Sequence, residues 1–159
     1  MKINLFEPSI SKNEEQIVLN VLRSKFWASG SGQGHVKIFE DKFRKYTNSK
    51  ACLAVNSGTA ALNIALSLID LKGKEVILPS LSFVSTANCI LKNGGKPIFV
   101  DIEPKTLCIN PDIIEDSITS KTVCVLPVHF GGTSANILKI LKICKKYNLK
   151  LIEDAAHAT

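Results

Sequence analysis

The sequence predicts an α/β fold: a mostly parallel sheet with helices on both faces. Three observations predict it. From Lys50 onward, short apolar runs end in polar or turn residues. Those runs alternate with stretches of helical periodicity, the strand–helix order that builds parallel sheets covered on both sides. Apolar residues make up 45% and charged residues 21% of the chain, a globular balance without repeats or low-complexity tracts. The 159 residues suffice for one α/β domain with a core and are too few for two ordinary domains.

The amino-terminal part, residues 1–48, reads as a helical segment that precedes the α/β part, residues 49–159. An extended stretch from Ile3 to Pro8 leads to a helix from about Lys12 to Ser24, where Ile17, Val18, Val21 and Leu22 fall at helical spacing. A glycine-rich loop, 28–34, separates it from a second helix over about Val36 to Tyr46, with Val36, Phe39, Phe43 and Tyr46 on one side. The alternation then begins. The run Cys52–Val55 leads into Asn56-Ser57-Gly58-Thr59 and a helix over Ala60–Ile69. The strand Glu75–Leu78 ends at Pro79 and is followed by a helix around Ser85–Leu91, and the strand Pro97–Val100 ends at Asp101. After a helix near Asp112–Ile118, the run Thr122–Val128 ends at His129. The helix Asn136–Tyr147 leads to Leu149–Ile152, which ends at Glu153-Asp154.

Composition narrows the function classes. No apolar run reaches the ~18–20 residues that cross a bilayer, and Met1 to Glu15 lacks the continuous apolar stretch of a signal peptide, so a soluble cytoplasmic protein is expected. Cys52, Cys89, Cys108, Cys124 and Cys144 lie far apart without a C-x-x-C pair, which favours buried free thiols in a reducing compartment. His35, His129 and His157 are equally scattered, so no metal is expected. The net charge of +6 comes from dispersed lysines without an aromatic-interleaved basic stripe, which argues against nucleic acid and allows a modest field for an anionic small substrate.

In an open α/β sheet, ligands collect beyond the carboxyl ends of the strands. That directs attention to Ser57-Gly58-Thr59, Ser80 to Phe83, Asp101, His129 and Asp154. At the first of these, Gly58 lets the backbone turn tightly, and the amides of Gly58, Thr59 and Ala60 form an anion site at a helix N-terminus. Taken alone, the same turn reads first as an ordinary Ser or Thr cap. In Glu153-Asp154-Ala155-Ala156-His157, the aspartate can set a carboxylate against a cofactor lying across the sheet edge, and His157 can return to the same place. A helix cap for Asp154 and an exposed helix position for His157 are the alternatives. Phe83 follows a buried strand, where its ring can stack on a flat heterocycle or simply pack in the core. The glycines of 30–34 follow a helix and miss the third glycine of a dinucleotide fingerprint, so that reading is rejected.

Taken in order, S-G-T-A-A-L from Ser57, P-S-x-S-F ending at Phe83, Val100-Asp101, P-V-H-F-G-G from Pro127 to Gly132 and I-E-D-A-A-H-A from Ile152 resemble the DegT-type nucleotide-sugar aminotransferases. Trp27-Ala-Ser-Gly30 and Phe39-Glu40 resemble the same family's beginning. The resemblance implies the large domain of an aspartate-aminotransferase type of fold and pyridoxal 5'-phosphate as cofactor. It implies that Gly58 and Thr59 hold the cofactor phosphate, that Phe83 stacks on the ring, that Asp154 pairs with the ring nitrogen, and that His157 contacts the phenolic oxygen. Trp27 and Ser29 resemble the region bordering the sugar. The reaction implied by the resemblance moves an amino group from an amino acid, with glutamate the expected donor, to a nucleotide-linked keto-sugar, for polysaccharide or secondary-metabolite biosynthesis, in a homodimer.

One feature of the family is missing. Its Schiff-base lysine follows E-D-A-A at a distance that Thr159 does not reach, so these residues alone are expected to be inactive. A lysine-to-histidine exchange at that position would give a sugar dehydratase on the same scaffold. A non-catalytic regulator of the same fold is a further alternative, and a nicotinamide-dependent dehydrogenase a distant one. The acceptor carbon, the sugar and the pathway are not readable from these residues.

Overall fold

β1 (Glu75–Pro79), β2 (Lys96–Val100), β3 (Thr122–Val125) and β4 (Lys150–Leu151) form a single sheet in the order β2-β1-β3-β4, and every neighbouring pair is parallel. This computed structural model describes residues 7–27 and 34–158. Contacts divide the chain into two compact units that meet between Ala54 and Val55.

The second unit is the predicted α/β layer structure. Side chains alternate across a strand, so Val76 and Leu78 of β1 serve one face and Ile77 the other. On the first face, Val76, Leu78, Cys124 and Leu126 pack with Leu62 and Leu66 of α3 (Gly58–Ser67) and with Cys89 and Ile90 of α4 (Val84–Lys92). On the second face, Ile77 and Val125 pack with Ile140, Ile143 and Cys144 of α5 (Ile137–Tyr147) and with Ile109 and Ile114 of the segment before β3. Four of the five cysteines are buried and all five are free thiols, with Cys52 half-buried. Burial pushes the Cys124 thiol up to about 12, so it is a packing group rather than a nucleophile.

The first unit contains α1 (Lys12–Ser24) and α2 (Gly34–Tyr46), and no residue of either is buried. Helix α1 starts where predicted because Ser11 forms a capping box. Its hydroxyl accepts from Asn13 N at 3.2 Å while the Glu14 carboxylate accepts from Ser11 N at 2.7 Å. It stops at Lys25, whose left-handed backbone (φ 58°) cannot continue a helix.

Three expected elements differ. Cys52–Val55 forms no strand: the Ala54 N–H, which a sheet neighbour would take, donates to the Glu40 carboxylate at 2.9 Å. The helix expected near Asp112–Ile118 is two short 3₁₀ turns, Pro111–Ile113 and Glu115–Ser117. The β-branched and hydroxyl residues Ile118, Thr119 and Ser120 follow at once, and Ile118 is already extended, so no α-helical turn propagates. The run to Val128 splits, because Pro127 has no N–H to give the ladder. Regular pairing ends at Val125, and a single bridge between Val128 and Asp154 resumes it.

From β1 the chain crosses through α4 to β2 on one side, and from β3 it crosses through α5 to β4 on the other. The order therefore reverses between β1 and β3. A crevice opens beyond the carboxyl ends of strands at such a switch point.

Candidate functional site

Asp154 lies one bridge beyond β4 and is buried, with 8% of its surface exposed. Its backbone is clamped on both sides: its N–H donates to Pro127 O at 2.9 Å, and its carbonyl accepts from His129 N at 3.1 Å. The carboxylate is also held at both oxygens. The Thr86 hydroxyl donates to Oδ2 at 3.0 Å, and Ala156 N donates to Oδ1 at 3.2 Å. The bond from Ala156 N, two residues on, closes a tight local turn at Asp154.

The loop after β3 holds the rest of this segment. The buried ring of His129 accepts from Ala135 N at Nδ1 (3.1 Å), which leaves Nε2 to carry the hydrogen and donate to the Glu153 carboxylate at 3.0 Å. Gly131 N donates to His157 Nδ1 at 3.1 Å, and the Phe130 ring meets the His157 imidazole edge-on at 5.9 Å between centroids. His157 is exposed, and with Nδ1 accepting, the neutral ring presents Nε2–H as a donor. Gly131 and Gly132 make this possible. Both have positive φ (60° and 83°), and a Cβ on Gly132 would sit 3.1 Å from His157 O.

At the second corner, Ser57 is the N-cap of α3, its hydroxyl accepting from Ala60 N at 3.2 Å. The cap reading of this turn is therefore correct for Ser57, and it leaves the first-turn amides of Gly58 and Thr59 without an acceptor inside the helix. Both residues are exposed, and a Cβ on Gly58 would meet nothing within 4 Å, so open space lies before that turn. Ser57, Thr59, Asn63, Asn88 and Lys92 line a recess of about 310 Å³ between α3 and α4. Cys89 ties the two helices where they meet, its thiol donating to Thr59 O at 3.4 Å.

Phe83 occupies the N-cap position of α4 and is 70% exposed, packed into neither core layer of the described residues. Three residues on, Thr86 is the fully buried side chain that reaches Asp154. Asp101 is a local turn residue: its carboxylate accepts from Ile102 N at 2.8 Å. Trp27, in the first unit, is 68% exposed and spends its indole N–H on Leu22 O at 3.1 Å, which leaves its ring faces open. Ser29 lies outside the described residues.

The structure thus gathers Asp154, His157, His129 and Thr86 around the ends of β3 and β4. Thr86, Glu153 and Gly131 were not singled out from the sequence. The available signal for Thr86 was its helical spacing from Cys89 and Ile90, which places a hydroxyl on the inner face of α4.

Over residues 8–159 the chain matches the DegT/DnrJ/EryC1/StrS aminotransferase family. It belongs to that family. Among curated members it is 42% identical to the spore coat polysaccharide biosynthesis protein SpsC of Bacillus subtilis, covering 95% of this chain and 38% of that protein. It is 40% identical to the 3-oxo-glucose-6-phosphate:glutamate aminotransferase of the same organism, over 92% of this chain and 34% of the relative. Among solved family members, NtdA from Bacillus subtilis with bound cofactor PMP superposes with a TM-score of 0.84 at 39% identity, covering 94% of this chain and 35% of that one. The chain spans well under half the length of these relatives.

Proposed function

We propose that the full-length protein is a pyridoxal-phosphate-dependent aminotransferase that moves an amino group from glutamate to a nucleotide-linked keto-sugar. The observation that carries this reading is the buried Asp154 carboxylate, clamped by its backbone and by Thr86 beyond the carboxyl end of β4. The residues present fit the cofactor. A carboxylate offers about four lone-pair positions, and Thr86 and Ala156 use two, so an acceptor site remains for a ring N–H. The amides of Gly58 and Thr59, with open space before them, suit a phosphate ester. The exposed Phe83 ring offers a face for a flat heterocycle, and His157 Nε2–H offers a donor for a phenolic oxygen.

When bound, pyridoxal phosphate supplies an electron sink for a carbanion on the substrate carbon. Asp154 keeps the ring nitrogen protonated, His157 donates to the ring oxygen, and Gly58 and Thr59 bind the phosphate. Trp27 and Ser29 are proposed to border the sugar. The lysine amine that the family uses is proposed to come from outside these 159 residues. Residues 1–48 act as the helical segment and 49–159 as the cofactor-binding part of a homodimer. It works in the cytoplasm, where its free thiols stay reduced.

The test uses the full-length protein with glutamate and two panels of acceptors, nucleotide-linked keto-sugars and keto-sugar phosphates. Pyridoxal-phosphate-dependent conversion of glutamate to 2-oxoglutarate is expected, with Asp154→Asn lowering kcat/KM at least 100-fold, the order associated with ~3 kcal/mol of lost transition-state stabilisation. Binding of the cofactor without amino transfer would favour a dehydratase or a regulator instead. The second acceptor panel has its own motivation, since the 40%-identical relative is named for a sugar phosphate.

A further inference from the structure

We propose that Thr86 is a positioning residue for the cofactor: its hydroxyl holds the Asp154 carboxylate in the orientation that meets the ring nitrogen. This rests on Asp154 being that nitrogen's partner. Thr86 is fully buried in the first turn of α4, and Asp154 lies 68 residues later beyond β4. A threonine in a helix commonly turns its hydroxyl back to a carbonyl of its own preceding turn. Here the hydroxyl crosses to Asp154 Oδ2 at 3.0 Å, and the β-branched side chain is stiff at χ1, so the donor stays fixed. The other oxygen is pinned by Ala156 N at 3.2 Å. A carboxylate held at both oxygens by donors from two separate segments has one orientation left. The arrangement also links two site residues, since the helix turn that carries Thr86 starts at Phe83, whose carbonyl accepts from Thr86 N at 3.0 Å.

The test compares Thr86→Val, which keeps the shape and removes the hydroxyl, with Thr86→Ser, which keeps the hydroxyl, in the full-length protein. Three readouts are taken: affinity for pyridoxal phosphate, the nitrogen NMR signal of ring-labelled cofactor, and kcat against KM for glutamate. Thr86→Val is expected to weaken cofactor binding about 10- to 100-fold, the range for a lost hydrogen bond to a charged group, and to shift the ring-nitrogen signal toward the unprotonated form. Its kcat falls more than its KM rises. Thr86→Ser restores binding and the nitrogen signal.

A role limited to satisfying a buried carboxylate would lower the melting temperature and leave the nitrogen signal unmoved, which overturns the proposal. Equal losses in Thr86→Ser and Thr86→Val also overturn it, because packing would then be the cause. If the valine variant does not fold, Thr86→Ala takes its place: loss in alanine with retention in serine supports the role, and equal behaviour of the two overturns it. If the unaltered protein takes up no pyridoxal phosphate, the cofactor reading itself fails. A wild-type protein that binds it, beside a valine variant that matches it, removes only the role of Thr86.

Discussion

Glu75 opens β1 with its carboxylate buried at the amino ends of the strands, away from the ends that carry Asp154. A buried carboxylate is tolerated only with partners. The Thr119 hydroxyl donates to it at 2.5 Å and the Lys96 ammonium at 3.4 Å, and these hold it below the usual carboxylate range despite its burial. The sign of the consequence follows. A carboxyl whose folded value is lowered contributes stability that is full above its unfolded value of about 4.3 and is lost as pH falls through the folded value. Urea midpoints are therefore expected to decline below about pH 4.3, and Glu75→Gln to flatten that decline while lowering the midpoint at pH 7. Parallel acid limbs in the two proteins would show that other carboxylates govern it. His129 illustrates the same rule near the site: both of its ring nitrogens are committed, one to Ala135 N and one to Glu153, so its buried imidazole acts in the architecture of the loop.

Helix α3 is where an element's own chemistry and the site meet. Ser57 Oγ satisfies the Ala60 amide and leaves the amides of the exposed Gly58 and Thr59 without an acceptor inside the helix. Ser57→Ala is expected to cost about 1 kcal/mol, the usual value for a lost N-cap. It is also expected to weaken phosphate-ester binding, because the first turn frays. Denaturant titration with and without pyridoxal phosphate reads both effects, and an unchanged midpoint would mean the cap contributes nothing. Signals such as this cap explain what the sequence made legible. The apolar periodicity of α1 and α5 is local, so both helices came out within a few residues of their expected positions. Asp154 could be ranked because a strand end followed by small residues has a fixed place in a parallel sheet. What the sequence hid is non-local. Cys52–Val55 has a strand's composition, yet a strand exists only with a neighbour, and the Ala54 amide is taken by Glu40. The Thr86–Asp154 bond joins residues whose only link is the sheet order β2-β1-β3-β4. Neither feature leaves a mark within any window of contiguous residues.

At the scale of the molecule, the second unit has two filled core layers, while the first has helices whose apolar side chains face water. Along α1, Ile17, Val18, Leu19 and Leu22 are all between 43% and 57% exposed, although the helix has no buried residue to hold it. A 13-residue helix is marginal in water by itself and draws most of its stability from a covered apolar face. Four exposed aliphatic side chains on one short helix also exceed the scattered singles that a soluble surface tolerates. Coverage by a second copy, as in the proposed homodimer, resolves both difficulties. Val18 and Leu22 lie one turn apart and so share a face. Replacing both with glutamate keeps helix propensity and puts two charges where apolar contact is needed. Sedimentation velocity is expected to show the unaltered protein above monomer mass across micromolar concentrations, and the Val18→Glu, Leu22→Glu protein shifted toward monomer with its circular dichroism retained. An unaltered protein that sediments as a monomer throughout that range would remove the homodimer as the cover of α1.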